Sequence, residues 1–192
     1  MDFDGVVNLA KRFSKRYSTE HNLDIKILLP FFDSKFQLCL IGKADLKKEL
    51  AKVLKLWRWS GTVEELLDYW FSVEINIDDR MIQKIHTLKS KGVIVIGATN
   101  QEKYRTQYLR KKLHLDTLFD KFYSSVDLGI KKPDGKFYES ILNDINAEPS
   151  EVVNWDDSTK NVDSASNLGI KSYLYKKYSV FEKQCRDNFV SN

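Results

Sequence analysis

The pattern of apolar and polar positions changes character near residue 78. Before it, apolar residues recur at helical spacing. Leu9, Phe13 and Tyr17 follow one another at four-residue intervals, and Leu46, Leu50, Val53, Leu54 and Trp57 form a second stripe. Thr62 followed by Glu65 predicts a capping box that opens a helix through Leu66, Leu67 and Trp70. The run from Ile25 to Phe32 is apolar enough to fit either a helix or a strand. This half reads as an all-helical unit.

After residue 78, helical stretches alternate with short apolar runs. Asp78 is placed to cap a helix through Met81, Ile82 and Ile85, which Gly92 ends. Val93 to Gly97 reads as a buried strand from its β-branched content, and Gln101 to Leu113 as a helix. Then come a strand at Phe122 to Val126, a helix at Phe137 to Ile145 and a strand at Val152 to Trp155. A helix at Ser158 to Leu168, ended by Gly169, leads to a last strand at Ser172 to Tyr175. Such alternation predicts βαβ units, hence an α/β fold with a doubly wound, Rossmann-like, mostly parallel sheet.

Composition narrows the class further. The chain has 192 residues, enough for one α/β domain with an inserted subdomain, and its 42% hydrophobic content can fill a core. A net charge of +4, with acids and bases interleaved, argues against nucleic acid as a partner. No apolar run is long enough to span a bilayer. Cys39 and Cys185 lie far apart and read as free thiols of a cytoplasmic protein. His21, His86 and His114 show no ligand spacing.

Open parallel sheets bind ligands at the carboxyl ends of their strands, so the polar residues there are candidates. Asp2 and Asp4 share a face of extended backbone, and Gly5 permits a tight turn after them. One carboxylate can attack phosphorus while the other exchanges protons; the alternative is a surface turn. Thr99 and Asn100 form either a phosphate cradle or a helix N-cap. Lys132, before Pro133, is either a charge-neutralising group or a solvated loop lysine. Asp156 and Asp157 suit a Mg²⁺ ion, or Asp157 or Ser158 caps the next helix.

Taken in order, these stretches resemble the haloacid dehalogenase superfamily of hydrolases. The resemblance rests on Asp2-Phe3-Asp4-Gly5-Val6-Val7, Gly97-Ala98-Thr99-Asn100-Gln101, Gly129-Ile130-Lys131-Lys132-Pro133-Asp134 and Trp155-Asp156-Asp157-Ser158-Thr159-Lys160-Asn161, and it covers essentially the whole chain. It implies Asp2 as nucleophile and Mg²⁺ ligand. It implies Asp4 as general acid/base, its main-chain carbonyl also on the metal. Thr99 and Asn100 bind the phosphoryl group, and Lys132 orients Asp2. Asp157 ligates the metal directly, Asp156 acts through water or from behind, and Asn161 orients the ligands. Asp4 favours phosphatase or phosphomutase chemistry over displacement of halide.

The resemblance also implies a division into a core of residues 1–5 and 78–192 and a helical cap of residues 6–77. In the cap, Trp57, Arg58 and Trp59 are a candidate substrate-facing cluster, with Arg58 for an anionic group; the alternative is that both tryptophans pack the cap. The expected activity is Mg²⁺-dependent hydrolysis of a small phosphorylated metabolite such as a sugar phosphate, a phosphoglycolate-like acid or a nucleotide monophosphate. The alternatives are a phosphomutase, or a catalytically weak binding protein that keeps the fold. The last arises because only Met1 precedes Asp2, where the family has a central strand. Its absence would leave two neighbouring strands unpaired, so the expectation is that further residues precede Met1. Oligomeric state is not legible.

Overall fold

The computed structural model describes Met1–Phe189. The first half is helical: α1 (Phe13–Glu20), a 3-10 turn (Ile25–Ile27), α2 (Leu29–Asp33), α3 (Lys35–Cys39), α4 (Leu46–Ala51) and α5 (Val63–Val73). The Ile25 to Phe32 run therefore resolves to helical structure. The capping box of α5 is present: Thr62 Oγ1 accepts from the Glu65 amide at 3.2 Å, and Glu65 Oε2 accepts from the Thr62 amide at 2.7 Å. Leu9 lies before α1, and the second stripe outruns its helix: α4 stops at Ala51, and residues 52–58 continue as turns. The stripe still does its work, because Leu46, Leu50 and Trp57 are buried with Phe13, Tyr17, Leu66 and Trp70 in one core.

The second half alternates as expected. It runs α6 (Asp79–Ser90), β1 (Ile96–Thr99), α7 (Lys103–Leu113), α8 (Leu115–Leu118), β2 (Lys121–Ser124), α9 (Ser125–Leu128) and α10 (Gly135–Ile145). After a 3-10 turn (Pro149–Glu151) come β3 (Val153–Asp156), α11 (Thr159–Asn167), β4 (Lys171–Leu174) and α12 (Tyr178–Phe189). Strand β1 starts later than the β-branched run suggests. The Val93 amide is spent closing α6 on Leu88 O at 3.1 Å, and the Val95 amide bonds the Asp120 side chain at 2.8 Å.

β1 pairs with β2 in parallel, from Ile96 opposite Lys121 to Thr99 opposite Ser124. β3 pairs with β4 in parallel, from Val153 opposite Lys171 to Asp156 opposite Leu174. The first two residues join the pairs. Met1 donates its amino group to Ile96 O at 2.8 Å and accepts from the Ala98 amide at 2.9 Å, while the Asp2 amide donates to Trp155 O at 2.8 Å. The order is thus β2, β1, Met1–Asp2, β3, β4. One face packs on α6, α8 and α12 through Val95, Phe122 and Trp155. The other packs on α10 and α11 around Ala98 and Ile170. This is a doubly wound, Rossmann-like α/β core with a helical cap, and β1 and β3 both end on residues singled out for chemistry.

Between β1 and β3, beyond Met1, lies a cavity of about 530 Å³ lined largely by apolar groups such as Val95, Ile96, Ile141, Leu142 and Trp155. Main-chain groups alternate sides along a parallel strand, so the Ile96 and Trp155 amides point into the same interval as their bonded carbonyls.

Candidate active site

Four loops at the carboxyl ends of the strands bring the motif residues to one cavity of about 490 Å³. Its lining includes Asp2, Asp4, Thr99, Asn100, Lys132, Asp157 and Asn161. Lys132 is 3% exposed, and its Nζ lies 2.9 Å from Asp2 Oδ2 and 2.6 Å from Asp156 Oδ2. Asp2 Oδ1 accepts from the Phe3 amide at 2.7 Å. Asp156 Oδ1 accepts from the Ser158 amide and from Asn161 Nδ2, both at 2.9 Å. Asp156 is thereby committed to holding its surroundings. The Asp157 carboxylate accepts from no other side chain among the described residues. Gly5 makes its closeness possible: at φ +84°, a Cβ on Gly5 would stand 2.2 Å from Asp157 Oδ2.

The capping alternatives are settled by these contacts. Glu102, not Thr99 or Asn100, caps α7 through the Tyr104 and Arg105 amides. Ser158 begins α11 with no side-chain cap bond, and the carboxylate reaching that turn is that of Asp156. Thr99 is buried in the cavity wall. The Asn100 side chain clasps the Lys132 main chain, its Nδ2 donating to Lys132 O and its Oδ1 accepting from the Lys132 amide, each 2.9 Å. Lys131 points elsewhere, to Gln37 on the cap. Arg58 is exposed and not part of this lining, and Trp57 is buried in the cap core; Arg12 and Arg105 are the arginines at the cavity.

Around Asp4 the structure adds three residues to which the sequence assigned no role. Asp4 Oδ1 accepts from Asn8 Nδ2 at 2.6 Å and from Arg105 Nη2 at 3.2 Å, and Asp4 Oδ2 accepts from Gln101 Nε2 at 2.6 Å. Arg105 is buried and also faces Glu74, with Nη1 3.1 Å from Glu74 Oε2 but out of hydrogen-bond alignment. Asn8, on the linker into the cap, ties it to the linker leading out, donating to Glu74 O at 2.8 Å and accepting from the Asn76 amide at 2.7 Å. The apolar-to-polar break at Val7-Asn8 was the available sequence signal; Arg105 gave none, lying mid-helix among other basic residues.

Oxygens of Asp2, Asp156 and Asp157 lie within 4.8 Å of one another. Three carboxylates share one buried ammonium, with Arg12 acting on Asp157 from the exposed side, so negative charge stays in excess in a largely buried place. Charges so placed are costly unless compensated, and a divalent cation with oxygen ligands fits that deficit. The titration shifts express the same crowding. Burial pushes Asp2 up to about 7, against the pull of Lys132 and with the help of Asp156. Burial and Asp156 also raise Asp157. For Lys132, the two carboxylates outweigh the burial that alone would lower it, so the ammonium stays charged.

The sequence model of the haloacid dehalogenase-like hydrolases matches residues 43–175. The chain belongs to this family. It is 33% identical over 120 residues to a drimenol cyclase of Aspergillus calidoustus, covering 61% of the chain and 23% of that protein. It is 34% identical over 93 residues to a sesquiterpene phosphatase of Aspergillus oryzae, covering 48% of the chain and 47% of that protein. The chain thus matches half or less of the length of these curated relatives. In fold it is similar to a HAD family enzyme of Bacteroides thetaiotaomicron, with a TM-score of 0.81, 19% identity and coverage of 94% and 95% of the two chains. The same enzyme in complex with magnesium and inorganic phosphate gives a TM-score of 0.79, 20% identity and coverage of 94% and 96%.

A carboxyl whose pKa rises on folding favours the protonated folded state. In the metal-free protein, Asp2 therefore weakens stability as pH climbs from its ordinary value of 3.8 through about 7. A cation binds the ionised form and reverses that loss. The rise in thermal midpoint on saturating with Mg²⁺ is expected to be larger at about pH 8 than at about pH 5.5. Equal rises at both would contradict the competition between proton and cation.

Proposed function

We propose that this protein is a Mg²⁺-dependent phosphomonoester hydrolase working through an aspartyl-phosphate on Asp2, with residues 1–5 and 78–192 as the catalytic core and 6–77 as the cap. The observation that carries the reading is the buried triad of Asp2, Lys132 and Asp156 beside the unpaired Asp157. A structural ion pair needs one acid and one base; a surplus of acids around a buried lysine suits a site for cation and phosphate together.

Each residue then has a defined task. Asp2 Oδ, held by the Phe3 amide and Lys132, attacks phosphorus as the ester bond to the leaving oxygen breaks. Asp4 gives that oxygen its proton and the free alcohol departs. Asp4, now a carboxylate held by Asn8, Gln101 and Arg105, takes a proton from water, whose oxygen attacks phosphorus and returns Asp2 as a carboxylate with release of phosphate. Thr99 hydrogen-bonds the phosphoryl oxygens and Lys132 offsets their charge. Asp2, Asp157 and the Asp4 main-chain carbonyl would hold Mg²⁺, with Asp156 behind them; when bound, the ion neutralises charge on the carboxylates and on the phosphoryl group. The name of the Aspergillus oryzae relative and the magnesium and phosphate in the Bacteroides enzyme support the reading.

The test is release of phosphate from p-nitrophenyl phosphate with and without Mg²⁺. Turnover is expected with the metal, none for Asp2→Asn, and a loss on the order of 10²–10³ in kcat for Lys132→Met. A folded protein inert toward a broad panel of phosphate esters with Mg²⁺ present would refute it.

A further inference from the structure

The cavity has two unlike halves. Its floor carries the acids, Lys132 and Thr99. Its roof, built by the cap, is apolar, with Phe32 and Phe36 partly exposed and backed by the buried Phe13 and Trp70. Phe13 stacks on Trp70 with ring centroids 4.7 Å apart, and Phe32 and Phe36 stand 5.4 Å from each other. Phe32 and Phe36 lie 5.5 Å and 5.4 Å from Trp70. All four rings line the cavity, together with Leu29, which is 37% exposed at its edge. Phe32 and Phe36 are only half-buried, so apolar surface is left for an occupant to cover.

The polar groups of the roof are occupied or badly placed for a polyhydroxylated ligand. The Gln37 amide donates to Phe32 O at 2.7 Å and accepts from Lys131. Trp70 Nε1 donates to Glu74 at 2.9 Å, and Glu74 is further engaged by the Phe13 amide and Arg105. Asp33 carries the same sign as a phosphate. Arg12 is exposed on the lining, and its charge suits an anion rather than an uncharged alcohol. Of the lining residues that the cap adds, this leaves Ser14 as the uncharged hydroxyl. A sugar or nucleoside would lose its hydrogen bonds to water here and find few replacements, whereas a hydrocarbon loses nothing.

Resting on the phosphate-ester reading above, we propose that the alcohol released by this site is a hydrocarbon one: the substrate is a phosphate monoester of a long-chain or polycyclic apolar alcohol, its phosphate on Lys132 and the cation site and its carbon skeleton against Phe32, Phe36 and Leu29. On this reading the sugar phosphates, small acids and nucleotides expected from sequence are poor substrates.

The test is a series of n-alkyl monophosphates from butyl to octyl, kept below their micelle concentrations, beside glucose 6-phosphate. On the wild-type chain with Mg²⁺, kcat/KM is expected to rise about 3- to 4-fold per added methylene, on the order of 10² across the series, with glucose 6-phosphate at or below butyl phosphate. Calorimetry on Asp2→Asn with Mg²⁺ gives the same gradient as affinity, independently of turnover. The variants Leu29→Asn and Phe36→Ser should flatten both gradients. Binding that climbs with chain length but no hydrolysis of any ester would uphold the apolar site and refute the reaction. Hydrolysis with no gradient, or with glucose 6-phosphate preferred, would uphold the reaction and overturn the apolar site. A flat binding series, or variants with the wild-type slope, would overturn it as well.

Discussion

The chemical centre depends on one buried cation. The Lys132 ammonium sits 2.9 Å from Asp2 and 2.6 Å from Asp156, out of reach of water. Stripped of solvent, none of the three groups is tolerable alone. Removing one partner of such an assembly costs about 3–5 kcal/mol, because the other charges stay buried and unpaired. The lysine is fixed from behind by Asn100, whose side-chain amide grips both main-chain polar groups of residue 132. Strand β1 therefore controls where the ammonium stands, although the lysine belongs to a distant loop.

The same cation sets the charge balance of the site. It offsets one acid of three, and the oxygens of Asp2, Asp156 and Asp157 still converge within 4.8 Å. Asp156 is satisfied by Lys132, Asn161 and the Ser158 amide, so the remaining demand falls on Asp2 and Asp157. Gly5 matters because a side chain there would occupy the Asp157 carboxylate's place. Asp4 belongs to a second network. Asn8, Gln101 and Arg105 hold it, and Asn8 and Arg105 also touch Glu74 at the end of α5. Asp4 is thus wired to the linkers of the cap.

Much of this was legible in sequence because it is local. The capping box of α5, the N-cap Asp78, the glycine ends and the alternation of the second half each depend on neighbours a few residues away. The motif residues could be found because strand ends are where loops meet. What could not be read is long-range. That β1 begins at Ile96 depends on the pairing of Val95 with Asp120. Arg105 reads as one more basic helical residue until the fold buries it against Asp4. Arg58, chosen for its charge and aromatic neighbours, lies in a turn at φ +57° on the outside. Helix α12 was not foreseen, since its apolar spacing is sparse and its burial comes from packing on Trp155. The aromatic roof was hidden for the same reason: apolar helical residues look alike whether they face a core or a cavity.

The central claim is that Asp2 is the nucleophile and Asp4 the proton carrier, and the most direct measurement is intact and peptide mass spectrometry of Asp4→Asn quenched during reaction with p-nitrophenyl phosphate and Mg²⁺. The leaving group of this ester needs no acid, so phosphorylation proceeds while hydrolysis of the intermediate stalls. The expected result is one phosphoryl group on the amino-terminal peptide, at Asp2, and none in the double variant with Asp2→Asn. Phosphate released with no phosphorylated Asp2, or a phosphoryl group on any other residue, would contradict the account.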